Sequence, residues 1–467
     1  PNSTMTEQLK LKLNDSKATR WGALVIVAFT MMAAYYVNDV VAPLKTMLET
    51  DLAWSSTDFG FFTGGYSFLN VFFLMLIWGG LILDRFGIRF TGKLATILMV
   101  GGTALEYYAM TGLAGADATL FGINEILGYK TGVFVAFAGY SIFGVGAEVA
   151  GITVSKIIAK WFKGKELATA MGVQVALARI GSQAGYAVAI PLARAFGIST
   201  PVLLGLVLLL GGMIAFFIFA VMDKKLDKQM EAAAIAAGTE DEEEKFSFKD
   251  VKNILVNPGF WLIALLCVLF YSCVFPFQKF ASELMIIKYG INENVAGTFA
   301  GLPALGALIL TPVFGGFIDK RGKSASIMLL GSAMLICVHF IYAIPDINYW
   351  LVAIVLMIIL GIAFSLVPSA MWPAVAKIFP VSQLGTAYAL IFFIQNIGLW
   401  GIPTLIGWVL DAYCISGKKP DGTNMYDYTV PMCIFTGIAC LSLIVALLLK
   451  KADKKYGYKL EEPNIQK

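Results

Sequence analysis

From Trp21 to Val37 the chain carries no charged residue, and the same holds from Trp261 to Phe277 and from Trp350 to Val367. Runs of this kind approach the ~20 residues that an α-helix needs to cross the hydrocarbon of a bilayer. In lipid every backbone N–H and C=O must be satisfied inside the spanning structure, so only helices and closed barrels cross. The runs are continuous rather than alternating ten-residue stretches, which argues against a barrel. Charged residues are 14% of the chain and hydrophobic ones 58%, where a soluble domain carries about 25% charged residues. Lipid must therefore be part of the solvent. The first run is too long for a cleavable signal, and further runs follow it. Residues 1–4, ahead of Met5, read as an expression scar.

Twelve spans are predicted, at roughly 21–43, 59–83, 91–113, 131–156, 167–190, 200–222, 258–280, 296–318, 324–344, 349–370, 385–410 and 430–449. The longest interruption, 223–257, is acidic and Ala-rich, contains the run Glu240–Glu244, and reads as a solvated linker or short surface helices. It divides the chain into a six-helix bundle over 21–222 and a second over 258–449, with tails at 1–20 and 450–467. An even number of spans puts both termini on one face. That face collects 27 of the 35 Lys and Arg residues, and the opposite face six: Lys45, Lys130, Arg194, Lys288, Lys418 and Lys419. By the positive-inside rule both termini and the linker are cytoplasmic.

The remaining two cations, Arg179 and Lys279, fall within or beside spans, where an ionisable group costs about 2.5–3.5 kcal/mol on insertion scales. Glu148 precedes Lys156, at the cytoplasmic end of span four, by eight residues; Arg179 follows Leu167 by twelve. At 1.5 Å per residue these depths are about 12 and 18 Å, either side of a midplane at about 15 Å. Tyr140, Gly144 and Glu148 share one helix face, as do Arg179, Gln183 and Tyr186. Polar, small and aromatic residues together suit a wet cavity wall. A plain Glu148–Arg179 ion pair joining two helices is the competing reading. Tyr36 and Asp39, near the outer end of span one, are further candidates for the cavity wall; Asp39, Glu106, and the i, i+4 pair Lys279 and Glu283 also suit interfacial anchoring or helix pairing. Trp372, Gln395 and Asn396 could complete the cavity from the second bundle or join helices by hydrogen bonds. By this reading only the first bundle places an acid and a base near the midplane.

Other chemistry is absent from the sequence. There is no GxxxxGK[ST], HExxH or GxSxG string, which argues against ATP-driven transport and the commonest hydrolase sites. Six cysteines and the single His339 have no metal-ligand spacing, and packing roles are expected. No cofactor, metal or nucleic-acid partner is predicted.

A short internal repeat follows spans two and eight: Gly80-Leu-Ile-Leu-Asp84-Arg85-Phe-Gly87-Ile-Arg89 and Gly315-Gly-Phe-Ile-Asp319-Lys320-Arg321-Gly322. In each a Gly stands four residues before Asp and a basic residue follows at once. A Gly near a helix end admits a close neighbour, Asp accepts from a helix N-terminus or pairs with a cation, and the later Gly permits a tight turn. The pattern resembles the loop signature of the major facilitator superfamily. The resemblance implies an all-α fold of two six-helix bundles rocking about a central site, with Asp84, Arg85, Arg89, Asp319 and Lys320 as a cytoplasmic gate latch. A topology anchor with a turn is the simpler alternative.

Longer strings narrow the resemblance: Trp161-Phe-Lys-Gly-Lys-Glu-Leu167, Ala178-Arg-Ile-Gly-Ser182, Val274-Phe-Pro-Phe277, Met371-Trp-Pro373, Gln383-Leu-Gly-Thr-Ala-Tyr388 and Ile394-Gln-Asn-Ile-Gly398. In this order they are similar to the lysosomal dipeptide uniporter branch, known as major facilitator superfamily domain-containing protein one. That likeness implies that Glu148 meets the substrate's amino group and Arg179 its carboxylate, with broad side-chain tolerance. The termini and loops depart from that branch, and no lysosomal sorting signal stands out. A monomer in a bacterial inner membrane, without the accessory glycoprotein of that branch, is expected.

Overall fold

The computed structural model describes residues 12–163, 165–237 and 248–464; the run Glu240–Glu244 and residues 1–4 lie outside them. The first half contains α1 (Lys17–Val40), the short α2 (Lys45–Leu52), α3 (Ser56–Phe72), α4 (Met75–Thr111), α5 (Thr131–Trp161), α6 (Leu167–Phe196) and α7 (Thr200–Ala237). The linker segment α8 (Phe248–Leu255) leads to α9 (Pro258–Ser272), α10 (Phe275–Tyr289), α11 (Glu293–Ala300), α12 (Leu302–Arg321), α13 (Ser324–Ala343), α14 (Trp350–Ile378), α15 (Val381–Tyr413) and α16 (Thr429–Tyr456). Two small antiparallel hairpins, β1–β2 (Glu125–Ile126, Tyr129–Lys130) and β3–β4 (Ile415–Lys418, Asn424–Tyr426), lie on the face opposite the termini, called here the far face.

Twelve crossings emerge from these helices. Nine segments among the described residues are long and apolar enough to cross alone. The α3–α4 pair, bent by 58°, supplies two more, because α4 turns at Gly87 with φ +83°. The twelfth, α6, carries Arg179, Ser182 and Gln183; its polarity marks a helix facing the protein interior rather than lipid. Gly322, at the same place in the second copy of the repeat, also has positive φ, +76°. Both repeat glycines thus make the turn that a side chain would strain.

Spans two, seven and eight are interrupted, which the apolar runs did not reveal. Leu74 adopts φ +53° between α3 and α4. Pro276 and Pro303 stand at the first turns of α10 and α12, where a missing N–H does no harm. Backbone carbonyls at the breaks in spans seven and eight find side-chain partners, as lipid demands. The buried His339 ring nitrogen Nε2 lies 2.8 Å from the Cys273 carbonyl, and Gln278 Nε2 donates to the Ala300 carbonyl at 3.3 Å.

Between the halves, α3 packs on α15, and α6 packs on α11 and α12. Shifting the span numbers by six exchanges these two contacts, span two on eleven and span eight on five. Small residues permit the approach. A Cβ on Gly60 would stand 2.4 Å from the Pro403 carbonyl oxygen and 2.9 Å from Gly407 Cα; one on Gly297 would stand 2.2 Å from the Tyr186 carbonyl oxygen. Both contacts lie toward the far face. On the near face the first half is braced internally: Arg89 and Lys160 meet Asp223 and Asp227, and Arg20 grips Glu166 at 2.6 and 2.9 Å. That grip pulls the Glu166 carboxyl down to about 2, so the pair survives until pH falls through that value.

Gly60→Val is expected to overpack the closed far face by about 1–3 kcal/mol. It should raise labelling of a Ser56→Cys probe, buried in the parent, by a membrane-impermeant maleimide. Unchanged labelling would show that this contact does not hold the face shut.

Candidate functional site

Between the halves lies a cavity of 620 Å³, inside the ~300–1,000 Å³ range of small-molecule sites. Glu148 and Arg179 both line it. Glu148 Oε1 accepts a hydrogen bond from the Tyr66 hydroxyl at 3.0 Å. The Arg179 guanidinium carbon lies 4.8 Å from the centre of the Phe364 ring of α14, a cation–π contact. Among the described residues no ion pair joins Glu148 to Arg179. One acid and one base thus face the same cavity without neutralising each other, and the plain ion-pair reading does not hold.

A second charged group closes the far end of the cavity. Lys279 Nζ of α10 reaches Asp39 Oδ1 at 3.3 Å, the Asn38 carbonyl at 2.9 Å and the Tyr140 hydroxyl at 3.4 Å. The Ser182 hydroxyl donates to the other Asp39 oxygen. This corrects one expectation: Lys279 does not pair with Glu283 along its helix, because Glu283 turns to Lys45 instead. Lys279 also carries a cation from the second half into the cavity wall. The i, i+4 spacing was compatible with a helix pair; the cross-half partners Asp39 and Lys45 are far away in sequence.

Tyr140, Asp39, Trp372, Gln395 and Asn396 line the cavity. Tyr140 donates its hydroxyl proton to the Asn38 carbonyl at 2.7 Å. Trp372 stacks on Phe392 at 5.0 Å and donates from Nε1 to the Tyr271 hydroxyl at 3.2 Å. Asn396 donates to the Phe392 carbonyl at 2.8 Å, while its own Oδ1 is buried without a partner among the described residues. Two other expected residues turn away. Tyr36 is buried and donates to the Pro201 carbonyl at 2.9 Å, and Gln183 faces Gly301 of the opposite half. Their chain neighbours Tyr35 and Ser182 line the cavity instead. One residue is 100° of helix rotation, so stripes read without a helix-packing frame can miss by one. Glu106, expected at the interface, is fully buried, and both its carboxyl oxygens lack hydrogen-bond partners among the described residues.

The repeat loops stay within their own halves. Asp84 Oδ1 lies 4.0 Å from Lys156 Nζ, Arg85 sits over Phe86 at 5.6 Å, and Arg89 joins the Asp223–Asp227 pair. Asp319 accepts from Asn464 of the C-terminal tail at 2.9 Å, and Lys320 is exposed. The described hydrogen bonds and ion pairs between halves cluster on the far face: Lys45–Glu283, Lys279–Asp39, Arg194–Glu293 and Thr57–Asp411.

Lys279→Met leaves Asp39 with no cation beside it. It is expected to destabilise the fold by about 3–5 kcal/mol, the cost of breaking a buried pair from one side. The double variant Lys279→Met/Asp39→Leu should recover most of that loss in thermal melts of the purified protein. Equal losses in single and double variants would mean the pair contributes nothing.

The family model described as Major Facilitator Superfamily matches residues 24–402 and 280–462. The chain is 29% identical over 454 residues to the lysosomal dipeptide transporter MFSD1 of Homo sapiens, covering 94% of this chain and 88% of that protein. It is 33% identical over 287 residues to the Gallus gallus protein of the same name, covering 59% and 62%. Among solved structures, a D-xylose-proton symporter superposes with a TM-score of 0.66 at 15% identity, covering 95% of this chain and 98% of that one. A peptide transporter POT in complex with sulfate gives 0.66 at 14% identity, covering 94% and 95%.

Proposed function

The chain belongs to the Major Facilitator Superfamily and is a multi-pass membrane transporter rather than an enzyme, and we propose that its cargo is a dipeptide or similar short zwitterion, moved by uniport. The carrying observation is that Glu148 and Arg179 face one cavity without pairing to each other. A zwitterion offers one ammonium and one carboxylate at nearly constant separation. Glu148 would take the first, and Arg179 the second through its two-pronged N–H edge. Tyr140, Asp39, Trp372, Gln395 and Asn396 would form the remaining wall. Recognition of the two ends leaves the side chains loosely read. That the MFSD1 relatives are lysosomal dipeptide transporters supports the same cargo.

The halves over 21–222 and 258–449 would rock as bodies about this cavity. With the far face closed, the loops carrying Asp84, Arg85, Arg89, Asp319 and Lys320 stay apart; they would approach each other when the near face closes. The excess of Lys and Arg on the near face supports a cytoplasmic placement of both termini. A bacterial inner membrane and a monomer without an accessory glycoprotein complete this reading.

Labelled dipeptide uptake into proteoliposomes tests it, comparing the parent with Glu148→Gln and Arg179→Lys. Loss of about 2–3 kcal/mol of charge-assisted recognition predicts uptake lowered at least tenfold at limiting substrate in each. Undiminished uptake in both variants removes the site assignment. Accumulation driven by a pH gradient, instead of simple equilibration, would replace uniport by proton symport.

A further inference from the structure

Where α2 meets α10 on the far face, beyond the apolar runs, a lysine is enclosed by two carboxyl groups. Lys45 is 1% exposed and Glu283 is 1% exposed. Lys45 Nζ donates to both Glu283 oxygens at 2.7 and 2.8 Å, to Glu49 Oε1 at 2.5 Å and to Ser56 Oγ at 2.7 Å. These contacts use its three protons. Glu283 also accepts from the Tyr428 hydroxyl at 2.8 Å, so it is fully dressed as a carboxylate. Glu49 is not: its second oxygen, Oε2, is buried with no hydrogen-bond partner among the described residues.

The charges around Glu49 can be counted element by element. Lys45 lies on its own helix, Ser56 at the start of α3, Glu283 on α10 and Tyr428 ahead of α16. Tyr426 of β4 lies 4.7 Å below Lys45 Nζ and donates its hydroxyl proton to Asp411. Asp411 is satisfied further by the Thr57 amide and hydroxyl. Asp58 is held in a capping box with Ser55, and the next cation, Lys130, is spent on the Ala53 carbonyl. Within the enclosure there is one cation for two acids. A second bare carboxylate there would be an uncompensated buried charge.

We propose that Glu49 is a proton-binding site, filled from the far-side solution when the far face closes and emptied to it when that face opens. In the closed state Glu49 carries the proton on Oε2, while Lys45 remains an ammonium paired with Glu283. On opening, Glu283 and Tyr428 leave with the second half. Lys45 falls back on Glu49, four residues along its own helix, and the Glu49 proton passes to water. The proton returns to the side it came from, so the site biases the conformation without driving transport. The closed state binds one more proton than the open state, so acid on the far side favours closure. The closed-to-open ratio rises by up to about tenfold per unit fall in pH. A proton symporter loaded from this face would respond with the opposite sign.

The test reads conformation and needs no cargo. Spin labels are placed at Asp117→Cys and Asn348→Cys, on exposed far-face loops of the two halves, with Cys337, Cys433 and Cys440 replaced by alanine. Distance distributions are recorded in lipid nanodiscs from pH 5 to pH 9. In the parent the long-distance population should grow with pH; in Glu49→Gln it should stay flat at the short distance; Glu49→Asp should restore the pH response. A flat parent, a parent-like response in Glu49→Gln, or a Glu49→Gln that never reaches the short distance each overturns the proposal, because glutamine stands in for the protonated acid.

Discussion

Lys45 reaches from the first half to Glu283 in the second, and Lys279 reaches from the second half to Asp39 in the first. The two crossings are reciprocal and buried, where a charge without its partner costs several kcal/mol. Helices in lipid gain little from burying apolar surface against each other. Close glycine contacts and these ion pairs therefore hold the far face shut, and they fix the end of the cavity that Glu148 and Arg179 line.

The cavity is asymmetric. Glu148 and Arg179 come from the first half, while Lys279 and the Trp372, Phe364 and Asn396 wall come from the second. Lys279 is already committed to Asp39, whereas Glu148 and Arg179 lean on an uncharged hydroxyl and an aromatic ring. Commitment to a cross-half partner suits a closing contact. The absence of such a partner suits a group awaiting a ligand. The same distinction separates Glu283, satisfied by Lys45 and Tyr428, from Glu49, whose second oxygen has no partner among the described residues.

Much of this was legible from spacing alone. A charge inside an apolar run is costly wherever the helix faces, so Glu148 and Arg179 stood out without any tertiary information. The repeat glycines also announced themselves, since only a turn explains a glycine three residues beyond Asp84 and again beyond Asp319. Facing was harder. Tyr35 and Tyr36, or Ser182 and Gln183, differ by one step of helix rotation, and the sequence alone does not say which points inward. Lys279 and Glu283 fit an i, i+4 pair so well that their partners, more than two hundred residues away, were hidden.

By itself the sequence determined that the chain lives in a bilayer, crosses it as helices, repeats a loop in each half, and carries one acid and one base inside apolar segments. These follow from local quantities: run length, charge, the periodicity of a helix and the turn a glycine allows. The tertiary structure alone decided which residues face the cavity, that Glu148 and Arg179 leave each other unpaired, and that Lys45 and Lys279 cross between the halves. Those are properties of packing between distant segments. A buried charge takes whichever partner the fold brings within hydrogen-bond reach, and no neighbouring residue in the chain announces that choice.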